Sequence, residues 1–473
     1  MLGLFGTLNL AARSLQAQMT GVEISGQNLA NVNTAGYTRQ RVDIQTSPAI
    51  STNIGPEGTG ANAVAIQQIA NSLLNHQIQS QASVTGYWNA NQSALQSAQN
   101  ALGEFLNGTG STSSTDSTTS VSSSGLANQL NGLFSAFQSL SASPTSATAQ
   151  QAVVNQAQNA ANTFNQIDTQ ISHSTASLNT SVSHDVNSAN KLLSDIANLN
   201  SEITYAEFTG GSANSLLDAR NQDLENLSQL VNIQTSTGTG NSVNISIGGQ
   251  TLVAGTQVMD TLQTYDSGGG RLLVQTATGG VPLTLTGGSI QGAIDARDGA
   301  LATMQNSLNT LAATLITQVN NLHASGYSST GTTGANFFNG AGSGTITVNP
   351  SLVSNPGLIQ TSGSATASSD NAVILKMAQL ASTAQASLKN QTMGVAYDQS
   401  VADLGDALQT ANNQASSQAI VATMFKTQRD SVSGVNVDEE MTNLMGFQRA
   451  YQASAKLVST VDSMIQTVLS MKN

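Results

Sequence analysis

Apolar side chains recur every three or four residues along most of this chain, a spacing that predicts amphipathic α-helices. The rows begin near the N-terminus and return in the last third of the sequence, after several interruptions. They lie at residues 4–29, 88–105, 182–203, 294–315 and 404–425. The sequence therefore predicts a chain built mainly from long helices.

The most regular row lies at the C-terminus. It consists of Phe447, Ala450, Ser454, Leu457, Val461, Met464, Val468 and Met471, with Tyr451, Val458, Ile465 and Leu469 beside it. Two adjacent rows widen the apolar face, so this helix can pack against two neighbours at once. One helix of an ordinary intrachain bundle is the alternative interpretation.

The hydrophobic period changes from 3.6 to 2 between residues 235 and 288, which indicates strands. Val243, Ile245 and Ile247 alternate with polar residues, and Gly248-Gly249 fits a two-residue hairpin turn. Further strands are predicted at 272–274 and 281–285. A second glycine-rich segment with short strands follows at 325–369.

These patterns predict a mainly α fold with β insertions (α+β). The chain is expected to be elongated and hairpin-like, with paired N- and C-terminal helices, a long helical bundle and a small projecting β domain. The predicted parts are a terminal coiled-coil domain (1–65 and 434–473), a helical bundle (66–234, 289–324 and 370–433), a β-rich insertion (235–288), a Gly/Ser-rich segment packed on the bundle (325–369) and a Ser/Thr-rich loop (109–124).

Composition and charge exclude several classes of function. The chain has 473 residues, enough for about three domains, and carries a formal net charge of −12 with only 8% charged residues. Such an acidic chain has no long-range attraction for nucleic acid. It contains no Cys, which excludes thiolate catalysis, and no run of 18 apolar residues that would span a bilayer.

Candidate catalytic and metal-binding residues are few. His173 and His184 are too far apart on one helix for a shared metal, and His323 is expected to cap or complement the end of its helix. The acidic residues 438–440 precede the last helical row, where carboxylates favour a helix N-terminus. We therefore expect no enzyme activity, cofactor, metal or small-molecule substrate.

One segment does not fit a purely helical plan. Residues 26–40 end the first helix, since Asn31 and Asn33 tolerate left-handed conformations and Gly36 permits positive φ. A strand is expected to follow at Val42-Asp43-Ile44. From the residues alone, the segment is a helix stop and a turn.

The same segment resembles the signature of the axial proteins of the bacterial flagellum, which include rod, hook and hook-associated proteins. The candidate assembly motif consists of Asn28, Ala30, Asn31, Asn33, Thr34, Gly36 and Tyr37. The C-terminal helix also resembles that of the family, at positions 437–440, 443–444, 448, 450–452 and 455–456. The continuation through residues 37–40 and the long helical middle favour a junction subunit over hook protein.

The resemblance implies a structural, secreted protein exported through the flagellar type III channel without a cleaved signal. Such a subunit would form a homo-oligomeric axial ring at the hook–filament junction, with hook protein below and a second junction protein above. Its terminal helices would stay disordered until subunits meet. A cytoplasmic export chaperone would hold the C-terminal helix. The candidate residues for subunit packing and chaperone binding are Phe447, Tyr451, Leu457, Val458, Val461, Met464, Ile465 and Val468.

Two other functions stay open at this point. Another axial protein, from the distal rod or the hook, would share the same motif. A surface adhesin could instead present a ligand-binding face from the Ser/Thr-rich tract and the β insertion.

Overall fold

A computed structural model describes residues 3–52, 55–107, 125–367 and 369–471. The predicted Ser/Thr-rich loop at 109–124 lies outside the described residues. The helices are α1 (Leu4–Ala30), α2 (Ser72–Asn107), α3 (Leu126–Ala142), α4 (Ala147–Phe208), α5 (Asn214–Leu230), α6 (Gly288–Ala296), α7 (Ala302–Ala324), α8 (Pro350–Ser354), α9 (Ala372–Gln379), α10 (Met393–Ser433) and α11 (Val437–Ser470). A π-helical turn, Arg297–Leu301, joins α6 to α7.

The strands are short and antiparallel. They are β1 (Gln40–Thr46), β2 (Ile50–Thr52), β3 (Gly55–Glu57), β4 (Ala61–Gln68), β5 (Ile233–Thr237), β6 (Val243–Ile247), β7 (Gln250–Ala254), β8 (Gln257–Val258), β9 (Leu262–Asp266), β10 (Leu272–Thr276), β11 (Phe338–Asn339) and β12 (Thr347–Val348). The predicted α+β class, mainly helical with β insertions, is confirmed. Within the described ranges, no helix is both long and apolar enough to cross a membrane.

The two ends of the chain form one antiparallel helix pair, as predicted. Ser14 on α1 lies 3.0 Å from Ser454 on α11, between their hydroxyl oxygens. About two turns further along α1, the ring of Phe447 packs on Gly21, where an added Cβ would overlap the ring. Small side chains on α1 thus bring the two helices close together, and the strand pair β1–β4 lies against α1.

The helical domain closes around one large core. α2, α3, α4, α7, α9 and α10 all contribute buried side chains to it. Phe337 lies at its centre, edge-on to Phe137 at 5.7 Å and to Phe338 at 4.9 Å between ring centroids. Phe337 and Phe338 come from the predicted glycine-rich segment, and they anchor its short strands β11 and β12 to the helices.

The β insertion packs on the second half of α4 and shares a core with α5 and α6. Its main sheet has the order β5-β6-β7-β8. Gly248 and Gly249 form the β6–β7 turn, both with positive φ, as their sequence predicts. The side-chain amide of Asn190 on α4 hydrogen-bonds both the N–H and the C=O of the first residue of β9. The side-chain amide of Asn200 does the same with the first residue of β6.

The prediction of a strand at 281–285 is wrong. Only a single bridge forms there, between Gln275 and Pro282, because the segment leaves β10 after the N–H of Leu283 donates to the carbonyl oxygen of Val274. The side chain of Leu283 packs instead against Gly248 in the hairpin turn. Strands β5 and β9 complete the insertion, and β5 begins at Ile233, two residues before the predicted insertion.

Glycines permit the closest helix contacts in the bundle. A Cβ on Gly86 of α2 would overlap the carbonyl oxygen of Gln229 on α5. Likewise, a Cβ on Gly292 of α6 would overlap the carbonyl oxygen of Tyr87 on α2. Since backbone cannot move aside as a flexible side chain can, α2 is held at a distance that only glycine allows at these positions.

We expect Gly86→Ala to lower the free energy of unfolding by about 2 kcal/mol or more, because the methyl group must push α2 from α5. Gly405→Ala is the matched control: it lies inside α10 with no atom within 4 Å of the added Cβ. The free energy of unfolding of that control should rise by about 0.5–1 kcal/mol, because Ala has a higher helix propensity than Gly. Urea unfolding of both variants measures the difference, and equal effects would contradict the packing account.

His323 takes a different role from the predicted helix cap. It is fully buried at the end of α7, where Nε2 accepts the backbone N–H of Gln360 at 3.1 Å. Nδ1 therefore carries the proton and donates to the carbonyl oxygen of Ala335 at 2.7 Å. Burial lowers the pKa of His323 to about 4, because the charged ring would lose its hydration.

The chain should therefore lose stability as pH falls from 6.5 towards 4. In this interval the unfolded chain binds a proton at His323 and the folded chain does not, which costs roughly 3 kcal/mol in total. Urea unfolding at pH 7 and pH 4.5 measures the slope. His323→Gln should remove most of it, whereas His184→Gln, at a largely exposed side chain, should leave it unchanged.

Candidate assembly site

The chain turns sharply after α1, and the candidate motif forms this turn. The side chain of Asn31 donates to the carbonyl oxygen of Gln27 at 2.9 Å, and its Oδ1 accepts the hydroxyl of Thr34 at 3.1 Å. Gly36 has a φ of 81°, as predicted. Asn31 and Asn33 both keep negative φ, and the side chain of Asn31 closes the turn.

Asn28 is the most buried residue of the motif, with 1% of its surface exposed. Its Nδ2 donates to the carbonyl oxygen of Gln40 at 2.8 Å and to Oε2 of Glu440 at 3.1 Å. Its Oδ1 accepts the hydroxyl of Tyr37 at 2.9 Å and the N–H of Gln40 at 3.0 Å. All four hydrogen-bonding positions of the amide are therefore filled.

Glu440 lies on the first turn of α11 and is also buried, with 2% of its surface exposed. Nε of Arg39 donates to its Oε1 at 2.6 Å, while another guanidinium nitrogen reaches Glu439 at 2.7 Å. Burial acts to lower the pKa of Arg39, but its hydrogen bonds and the charges of Glu439 and Glu440 raise it overall. The buried carboxylate is thus paired with a cation, and each of its oxygens accepts a hydrogen bond.

Tyr37 closes the cluster against the helical domain. Burial raises the pKa of its phenol to about 12, with further contributions from the charges of Asp218 and Glu440. Asp218 on α5 accepts the N–H of Thr38 at 3.1 Å and the side-chain amide of Gln68 at 2.9 Å. Burial raises the pKa of Asp218 in spite of these hydrogen bonds.

These contacts join four parts of the chain: α1, the turn, α11 and the helical domain. We name the group the terminal clamp. Its members are Asn28, Tyr37, Arg39, Asp218, Glu439 and Glu440. The backbone adds a link, because the N–H of Arg39 donates to the carbonyl oxygen of Ser433 at the end of α10. Chemically, the clamp is a structural ion-pair network, and no group of three metal-ligating side chains occurs among the residues described.

Comparisons with known proteins agree with this architecture. The family described as flagellar hook-associated protein FlgK helical domain matches residues 112–338, and the flagellar basal body rod FlgEFG protein C-terminal family matches residues 426–471. Flagellar hook-associated protein 1 from Bacillus subtilis is 27% identical over 517 aligned positions, covering 99% of this chain and 98% of the relative. The chain is similar to flagellar hook-associated protein 1 along nearly its whole length.

Other relatives carry the same name. Flagellar hook-associated protein 1 from Salmonella typhimurium is 23% identical, covering 98% of this chain and 99% of the relative. The solved structure of the flagellar hook junction protein FlgK from Burkholderia pseudomallei aligns at 25% identity with a TM-score of 0.48. That alignment covers 56% of this chain and 46% of the solved one.

The other predicted site residues lie at the surface or beside the helix pair. Ala30, Asn33 and Thr34 are exposed on the turn. On α11, only Val461 of the candidate packing residues is fully buried, while Phe447, Val458 and Ile465 are half-buried towards α1. The exposed members and their exposed fractions are Tyr451 (40%), Leu457 (39%), Met464 (52%) and Val468 (56%).

Sequence reasoning missed the ionic part of the clamp. It interpreted the acidic residues 438–440 as helix-capping groups. Asn436 is the actual N-cap of α11, and its Oδ1 accepts the N–H groups of Asp438 and Glu439. Arg39 was already inside the segment that resembles the family, yet nothing in its spacing indicates a partner 401 residues away.

We expect Asn28→Ala to loosen the terminal helix pair by about 2 kcal/mol, because Glu440 and the Gln40 backbone lose buried partners. The structure pairs α1 with α11 within a single chain, so amide hydrogen exchange in these two helices of the purified chain should then be about 30-fold faster. Asn33→Ala is the matched control, since Asn33 is exposed on the same turn. Equal exchange rates in the two variants would contradict a structural role for Asn28.

Proposed function

We propose that this chain is a structural subunit of the bacterial flagellum that polymerises into the hook–filament junction ring at the distal end of the hook. The observation that carries the proposal is the end-to-end match to relatives named flagellar hook-associated protein 1, which includes both terminal regions. The chain is exported by the flagellar type III system and acts outside the cell. It catalyses no reaction.

The division of the molecule supports this role. The helical domain has its own closed core, so it does not need a partner to bury its apolar side chains. The terminal pair differs in how little it buries, because Glu440 and Val461 are the buried residues of α11, whereas Met464 leaves more than half of its surface exposed. Neighbouring subunits supply the missing burial, at roughly 25 cal/mol per Å² of apolar area.

The proposed partners follow from the position of the chain in the hook–filament junction ring. Copies of this chain form an axial ring, with hook protein below it and a second junction protein above it. Before export, a cytoplasmic chaperone holds α11, whose exposed apolar residues would otherwise aggregate. The support for the chaperone is the row of exposed side chains at Tyr451, Leu457, Met464 and Val468.

Deletion of the gene tests the role. We expect bare hooks in electron micrographs and monomeric flagellin in the medium, because the filament has no junction on which to grow. Restoring a chain that lacks residues 1–40, or the last 35 residues, should not rescue the filament, although the helical domain remains folded by circular dichroism. Normal filaments in the deletion strain would overturn the proposal, and loss of the hook itself would place the chain in the rod or hook.

A further inference from the structure

The second half of α10 packs less tightly than the first. Its buried side chains stop at Ala415 and resume at Ser433, the last residue of the helix. Of the described residues 416–432, none is fully buried, and the apolar side chains of Ile420 and Met424 are mostly exposed. This stretch runs along α2, which also contacts α5. The side chains on the inner face of α10 therefore leave space between the three helices.

A cavity of about 180 Å³ lies where α2, α5 and α10 meet. Its apolar wall consists of Ile78 and Ala82 from α2 and of Ala422 and Phe425 from α10. An apolar cavity of roughly 150 Å³ in another protein holds a benzene molecule. The space between the three helices is therefore large enough for one six-membered ring, or for a branched aliphatic group of similar volume.

Glu225 of α5 gives this cavity a polar end. The residue is only 6% exposed, so its carboxylate is almost removed from bulk water. Its Oε2 accepts a hydrogen bond from the guanidinium of Arg429 at 3.2 Å, whereas its Oε1 lies 3.6 Å from Nζ of Lys426. The second distance is longer than a hydrogen bond. Because Lys426 lines the cavity together with Glu225, Oε1 is the oxygen on the cavity side.

Lys426 is a weak competitor for this oxygen. Its side chain is 53% exposed, and an ion pair that keeps one long side chain in solvent contributes little. Asn89 and Gln229 are also exposed where they line the cavity, so this side is open to solvent. A ligand enters here, and the flexible side chain of Lys426 moves outward to admit it.

We propose that this cavity binds a small primary amine with a compact apolar body, either aromatic or branched aliphatic. The ammonium group donates to Oε1 of Glu225, and the apolar body packs between Ile78 and Phe425. A cation fits better than an anion because the carboxylate of Glu225 is buried, whereas the ammonium of Lys426 extends into solvent. All lining residues belong to the helical domain, so the inference does not depend on the proposed junction role.

Calorimetric titration of the purified full-length chain with benzylamine tests the site. We expect one saturable site with a Kd of about 1 mM, as for a ligand of this small size. Benzyl alcohol has nearly the same shape but no charge, and should bind about tenfold more weakly because its hydrogen bond is not charge-assisted. Phenylacetate, which carries a carboxylate, should not bind because Glu225 repels it.

Two substitutions of the polar end should change the affinity in opposite directions. Glu225→Gln keeps the shape of the side chain and removes its charge, so it should weaken benzylamine binding about tenfold. Lys426→Gln removes the competing ammonium and should tighten binding about threefold, as expected for an exposed charge. A purely structural role of the ion pair would not produce this opposition, because both changes would then loosen the same contact.

Filling the cavity tests its location without changing any charge. Ala82→Leu, on the apolar wall, should abolish benzylamine binding and leave the far-UV circular dichroism unchanged. Ala419→Leu is the matched control, because Ala419 is exposed on α10 and does not line the cavity. That variant should bind benzylamine with the affinity of the unsubstituted chain.

Three results would overturn the proposal. Tighter binding of phenylacetate than of benzylamine would make Lys426 the recognising group. Unchanged affinity in Glu225→Gln would exclude the buried carboxylate. Heat that does not saturate, and is the same in Ala82→Leu, would mean non-specific attraction of the amine by the net charge of −12. None of these results bears on the junction role, which the gene deletion tests separately.

Discussion

Glu440 imposes the constraint on which the molecular shape depends. A carboxylate with 2% of its surface exposed costs several kcal/mol unless a cation and hydrogen-bond donors compensate it. The compensating groups are Arg39 and Asn28, which lie near the other end of the chain. The N- and C-terminal segments must therefore meet before either is stable, and everything between them is constrained to leave and return at the same place. The hairpin-like course of the chain follows from this one buried charge.

The clamp also fixes how the terminal pair meets the rest of the molecule. Asp218 holds the turn through the N–H of Thr38, and Ser433 holds the backbone of Arg39. Hydrogen bonds and ion pairs depend on direction, whereas apolar packing mainly depends on contact area. A polar joint between an apolar helix pair and an apolar domain core thus defines one orientation between them. A subunit in an axial wall needs such a defined orientation, because each copy must present the same surfaces to its neighbours.

Much of the fold could be predicted from the sequence because it depends on local signals. Long helices follow from apolar spacing, and the turn at Gly248-Gly249 follows from the need for positive φ. The pairing of the two ends was also predictable, because helical stretches at both ends of the chain flank the β insertions. The absence of a strand at 281–285 was not predictable, since the alternating pattern there fits a strand and only the path of the chain away from β10 ends the pairing after one bridge.

The clamp could be predicted only in part. The segment from Asn28 to Tyr37 was recognisable as a motif, but the burial of Glu440 was not. An acidic residue on the first turn of a helix is usually solvent-exposed and favoured by the helix dipole. Its real environment depends on Arg39, 401 residues away, and such distant partners leave no trace in local spacing. The role of Asp218 on α5 could not be predicted either, because nothing in its local spacing indicates a contact with the turn.

Electron cryomicroscopy of isolated hook–filament junctions is the most direct measurement, at a resolution that shows side chains. We expect density for this chain in the ring between hook and filament, with α1 and α11 paired in the axial wall. In every copy, Arg39 and Asn28 should contact Glu440. A junction built from another protein, or copies whose terminal helices are separated with Glu440 in solvent, would contradict the assignment of the clamp as the element that shapes the subunit.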